Sequence, residues 1–154
     1  MQTKIEPVFL YDGLGFPIEL QHVEMVNIGG EWHPKIDVRY VADQVIKQLA
    51  VQETPLTGNQ VKFIRSYFSM PLRAFGEKVV HESHTAVSKW EKKGDEPTNM
   101  NENTEQVLRL YIIEQTETKS EARGENFRGR YMRSRGFYGA KGKKPKTLRL
   151  DLCA

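Results

Sequence analysis

The sequence predicts an α+β chain: a small N-terminal β-hairpin or sheet with one helix, then a bundle of four to five short helices, then a flexible basic tail. Three observations predict it. Strand-like runs before residue 36 are punctuated by Asp12-Gly13-Leu14-Gly15 and by Gly29-Gly30. Between residues 37 and 115, apolar side chains recur at three- and four-residue spacing, broken by residues that cap helices. After Glu117 that periodicity stops, and arginine, lysine and glycine take over.

The strand candidates are residues 7–11, 16–20 and 23–28, with Glu31-Trp32-His33 beyond the second glycine turn. Gly29 and Gly30 supply the positive φ that a tight hairpin requires, so a sheet of two to four strands is expected. Asp37 then caps a helix in which Val38, Val41, Ala42, Val45, Ile46 and Leu49 form one apolar stripe. That stripe needs a partner surface, and the sheet is the nearest in sequence.

Pro55 argues that this helix has ended. Thr57 and Gln60 have the spacing of a capping box, opening a helix whose apolar face is Val61, Ile64 and Phe68. Ser69-Met70-Pro71 breaks it, and Pro71 suits the first turn of the next helix, which carries Leu72, Phe75 and Val79. After a turn at Val80-His81-Glu82, Ser83 caps a third helix to about Lys93. Ala86, Val87 and Trp90 face inward there, and Gly94 is the stop. A last helix, Thr104 to about Gln115, presents Val107, Leu108, Tyr111 and Ile112. The expected divisions are therefore 1–52, 56–116 and a tail 117–154. Residues 118–146 hold too few aliphatic side chains to offset ordering entropy, so they are expected to be flexible when free.

Bulk properties narrow the function classes. At 154 residues, 38% hydrophobic and 28% charged, the chain has the composition of a soluble globular protein of one domain or two small ones. No apolar run approaches the ~18 residues of a membrane span, and the first residues lack the apolar core of a signal peptide. The single Cys153 excludes an internal disulfide and a cysteine-rich zinc site. A cytoplasmic protein is expected, nucleoid-associated when bound to DNA. The net charge of +3 conceals an asymmetry: residues 123–154 carry +8 and the rest −5. A basic tail on a mildly acidic body points to a polyanionic partner.

Catalysis finds no support: there is no nucleophile with a plausible base, no Walker pattern and no carboxylate pair in an evident pocket, so no catalytic residue and no cofactor are assigned. Gly13-Leu14-Gly15 lacks a third glycine and is a turn. His81-Glu82-Ser83-His84 lacks the i, i+4 spacing of a zincin and a third ligand, so no metal is assigned either.

The stretch Phe63-Ile64-Arg65-Ser66-Tyr67-Phe68, Leu72 to Val79, and above all Ala86-Val87-Ser88-Lys89-Trp90-Glu91, resembles the Cro/lambda-repressor-like (XRE-type) helix-turn-helix class of transcriptional regulators. The resemblance covers about residues 57–113. Two places differ: Val80-His81-Glu82 stands where the family has glycine and an apolar residue, with a turn one residue longer. Pro71-Leu72 replaces the polar pair that opens the family's second helix.

In such motifs the start of the recognition helix meets base edges in the major groove. The resemblance therefore implies that Ser83, His84, Thr85 and Ser88 read DNA, with Lys89 beside them. Lys89, Lys92 and Lys93 suit phosphate contacts, which position without specifying. Arg128, Arg130, Arg133, Arg135, Lys141, Lys143 and Lys144 are the candidate tail contacts. They are interleaved with Phe127, Tyr131, Phe137 and Tyr138, which suit stacking on bases.

The implied function is that of a sequence-specific regulator, expected to be a homodimeric repressor on a pseudo-palindromic operator in double-stranded DNA. A small module ahead of a helix-turn-helix is also similar to the layout of MqsA-type antitoxins, here without their zinc cysteines. That similarity implies an autoregulating antitoxin with a protein partner at the N-terminal module. The alternative from another class is a protein-binding module whose basic tail holds nucleic acid without sequence preference.

Overall fold

The computed structural model describes residues 1–118, 125–140 and 142–153. It is an α+β protein that divides into two compact units, one formed by residues 1–45 with the chain from Thr147 on, the other by residues 46–146.

The first unit is built on a four-stranded sheet. Strands β1 (Thr3–Tyr11), β2 (Ile18–Ile28) and β3 (Glu31–Pro34) run antiparallel in that order. Gly29 and Gly30 both have positive φ (61° and 89°), and the Asn27 side chain accepts from the Gly30 N–H. Such a turn twists with the strands it joins, which is why the pair is selected here. The Asp12–Gly15 segment closes through the Gly15 N–H on the Asp12 carbonyl at 3.0 Å.

Helix α1 (Val38–Val51) begins at Asp37, whose carboxylate accepts from the Tyr40 N–H at 3.1 Å. Of its expected stripe, Val41, Val45, Ile46 and Leu49 are buried, while Val38 at the first turn stays half exposed. The core of this unit holds Phe16, Ile18, Leu20, Val23, Met25, Val41 and Val45. Its fourth strand comes from the far end of the chain: β4 (Leu148–Asp151) pairs in parallel with Ile18–Gln21, and Leu150 is buried there.

The second unit is helical. It contains α2 (Gly58–Tyr67), α3 (Leu72–Phe75) continuing into a π-helical turn (Gly76–Val80), α4 (His84–Glu91), α5 (Glu102–Thr116) and α6 (Phe127–Arg133). The capping box is formed: the Thr57 hydroxyl accepts from the Gln60 N–H at 3.2 Å, and the Gln60 side chain accepts from the Thr57 N–H at 3.0 Å. Leu56, Val61, Ile64, Phe75, Val87, Leu108 and Ile112 make the core, whereas Val107 is largely exposed.

The region expected to be a flexible tail carries regular structure over the described residues. Asn126 caps α6, Ser134, Phe137 and Ala140 are buried, and β4 joins the sheet. Aromatic side chains supply the burial that the scarce aliphatics do not. Phe137 lies under the Arg109 guanidinium at 4.1 Å, and the Tyr138 hydroxyl donates to Gln106 at 2.6 Å.

Arg109 explains why that ring is wanted. It is fully buried on α5, donates to Glu105 at 2.7 Å, and also donates to the carbonyls of Gln52 (2.6 Å) and Thr54 (2.8 Å). Burial pushes the Glu105 carboxyl above its ordinary value and the Arg109 guanidinium below its own, while each opposes the other's shift. No described helix is long and apolar enough to cross a membrane.

Candidate nucleic-acid interface

Helix α4 is held by three kinds of contact. At its start, the Ser83 hydroxyl accepts from the Ala86 N–H at 3.1 Å, satisfying one of the free donors of the first turn. At its middle, Val87 is fully buried. Near its end, Glu91 takes a bidentate pair from Arg65 of α2, at 2.7 and 2.9 Å, and Arg65 also donates to the Met70 carbonyl at 3.0 Å. The Glu91 hydrogen bond holds the Arg65 guanidinium above its ordinary value against the opposing effect of burial.

Two glycines allow backbones to meet around α4. A Cβ on Gly58 would stand 2.3 Å from the Trp90 carbonyl oxygen, so α2 can begin against the end of α4 only without one. A Cβ on Gly76 would stand 2.5 Å from the Glu82 carbonyl oxygen, where the π-helical turn folds back on the approach to α4. The Glu82 N–H donates to the Gly76 carbonyl there at 3.0 Å.

The extra residue expected in the turn has a physical home. A π turn closes on i→i+5 bonds and so takes in one more residue than an α turn. Gly76–Val80 winds that way and ends at His81, which adopts a left-handed φ of 55°. That conformation favours glycine and is tolerated by histidine more readily than by most side chains.

The predicted contact residues are displayed as follows. Ser83, His84, Thr85, Lys89, Lys92 and Lys93 are exposed, and Ser88 is half-buried. None of the three lysines is paired with a carboxylate among the described residues. Phe75 and Val87 lie in the core as expected, but Trp90 is only half-buried. His81 and His84 do not form a metal-ligating group among the described residues.

The tail candidates divide. Arg130 pairs with Glu117 at 2.6 Å and Arg133 with Glu125. Arg135 lies 4.0 Å over the Tyr138 ring and donates to the Tyr131 hydroxyl at 2.9 Å. These three arginines make contacts within the fold. Arg128, Lys143 and Lys144 are exposed, and Lys141 lies outside the described residues.

Sequence reasoning missed the Arg65–Glu91 and Arg109–Glu105 pairs. The second was detectable in principle as an i, i+4 Glu–Arg spacing, a spacing that ordinarily marks a solvated face. The first links residues 26 apart and had no local signal.

A cleft of about 430 Å³ in the helical unit is lined by Pro55, Pro97, Met100, Glu102, Glu105 and Phe137, among others. It combines apolar walls with a carboxylate already committed to Arg109.

No family model, no curated protein and no solved structure matches this chain.

Proposed function

We propose that the protein is a sequence-specific DNA-binding regulator that reads the major groove with α4. One observation carries this: a short helix, pinned by Val87 and the Arg65–Glu91 pair, leaves Ser83, His84 and Thr85 exposed together at its N-terminal end and Lys89, Lys92 and Lys93 toward the other. Among the described residues, no hydrogen bond or ion pair uses those side chains except the Ser83 cap.

The chemistry suits the task. An imidazole donates to or accepts from a base edge, and a threonine methyl packs on thymine. Unpaired ammonium groups meet phosphates and release counterions. A single reading helix covers few base pairs, so the proposal includes a homodimer on half-sites about 34 Å apart. Repression follows from occupying a promoter. An autoregulating antitoxin role, with a toxin bound by the sheet unit, is the narrower form of the same proposal.

The test is a titration of the DNA upstream of the protein's own gene against scrambled duplex at two salt concentrations. A complex that resists scrambled competitor is expected. Replacing His84 and Thr85 by alanine should leave the thermal midpoint unchanged and weaken specific binding by about 1–3 kcal/mol per lost base contact. Equal binding by wild type and the double variant would remove the reading face from α4. Binding that scrambled DNA erases would favour the alternative, a protein-docking module with only general affinity for polyanions.

A further inference from the structure

A second concentration of chemistry belongs to the sheet unit. β2 keeps β1 on one side but changes partner on the other, from β4 along Ile18–Gln21 to β3 along Met25–Ile28. His22 stands in the gap with a left-handed φ of 58°. On the β1 side it faces Pro7, which has no N–H to give to the ladder. The alternation of β2 shifts by one residue there: Ile18 and Leu20 are buried before it, Val23 and Met25 after it. The shift puts His22 at the surface, where unbroken alternation would have buried it.

The end of β4 arrives beside this imidazole. Asp151 Oδ1 accepts from His22 Nδ1 at 2.8 Å and from the Cys153 N–H at 2.9 Å. The Leu152 N–H donates to the Gln21 carbonyl at 3.0 Å, which ties the chain past β4 to the same strand. Cys153 is exposed, and an imidazole nitrogen, a carboxylate oxygen and the thiol sulfur all lie within 4.8 Å of one another.

We propose that His22, Asp151 and Cys153 form a binding site for a borderline divalent transition metal of the zinc class, completed by a solvent molecule. Bond lengths of about 2.3 Å to sulfur and 2.0–2.2 Å to nitrogen and oxygen put tetrahedral ligand atoms about 3.3–3.6 Å apart. Two exposed side chains and the half-buried Asp151 reach that spacing by small rotations: the His22–Asp151 hydrogen bond gives way to the metal and the sulfur closes in. Binding releases the thiol proton to solvent and moves the imidazole proton from Nδ1 to Nε2, and the thiolate and carboxylate together neutralise the dication. A thiolate with an imidazole selects zinc-like ions over magnesium and calcium, which prefer oxygen. The site is independent of the DNA-binding proposal, since it uses none of the residues of α4.

The experiment is a titration of the full chain with Co²⁺, followed by displacement with Zn²⁺. Saturation at one Co²⁺ per chain is expected, with intense visible bands of tetrahedral cobalt and a near-ultraviolet sulfur-to-cobalt band. Cys153→Ser should abolish the near-ultraviolet band. His22→Gln and Asp151→Asn should each weaken binding by at least the ~10–100-fold that loss of even a supporting partner costs. All three side chains are solvent-accessible, so circular dichroism of the variants should match wild type. The absence of a thiolate band would overturn the site. Saturation at half an equivalent with bands that His22→Gln leaves unchanged would also overturn it, because the thiolates would then come from two chains.

Discussion

Two of the arginine–glutamate pairs of the helical unit do opposite jobs. Arg109 and Glu105 are four residues apart on one helix and almost wholly buried, and their pair gathers the backbone at Gln52 and Thr54 and the ring of Phe137. Arg65 and Glu91 sit on different helices, partly exposed at 18% and 11%, and fix the end of α4. The difference teaches that the charge pair to read for function is the shallow one. A deep pair is committed on every side to structure. A shallow one orients an exposed element while leaving its outer face for a partner.

The largest break expected is Arg109→Ala, which strands the buried Glu105 carboxylate and should cost about 3–5 kcal/mol in urea unfolding. Replacing both Glu105 and Arg109 by leucine should not recover wild-type stability. The Gln52 carbonyl and the Leu56 N–H, which donates to Glu105 at 3.3 Å, would lose their partners, while the Thr54 carbonyl would keep only the Gln52 side-chain amide. About 1–3 kcal/mol per orphaned group is expected from that loss. Full recovery in the double variant would show that the pair matters only for its own charges.

Arg65→Ala should cost less, about 1.5–3 kcal/mol for a charge-assisted pair, and should lower specific DNA affinity more than non-specific affinity. Equal losses in the two affinities would separate the pair from the reading helix. Ser83→Ala follows, with about 0.5–2 kcal/mol lost in thermal unfolding if the cap is its structural role. Smallest in stability is Lys92→Ala with Lys93→Ala. The unfolding midpoint should not move, while the slope of log affinity against log salt falls by about one for each phosphate contact removed. An unchanged slope would place phosphate contact elsewhere.

Legibility followed range. Thr57 with Gln60, Asp37 ahead of Val38, Ser83 ahead of His84, and Gly29-Gly30 act within a few residues, and each sits in the structure where its local chemistry put it. The exposure of Ser83, His84, Thr85 and the lysines was legible too, because the apolar positions of α4 define its other face. The π-helical turn was visible only as a surplus residue before Ser83. How a surplus is absorbed depends on the packing around it, here the contact that Gly76 permits with Glu82.

What the sequence by itself determined is helices α1 to α5, the caps at Asp37, Thr57 and Ser83, and most of the inward faces, since backbone donors and side-chain spacing settle those locally. Only the tertiary structure decided the rest: the parallel pairing of Leu148–Asp151 with Ile18–Gln21, the burial of Arg109 over Phe137, and the meeting of His22 with Asp151. Pairing strands about 130 residues apart gives no periodic sign, because any strand of the right alternation could take that place. A basic, glycine-rich tail reads as solvated until there is a buried guanidinium for its aromatic ring to cover. That partner sits on another helix, so its effect on the tail exists only once the chain has folded.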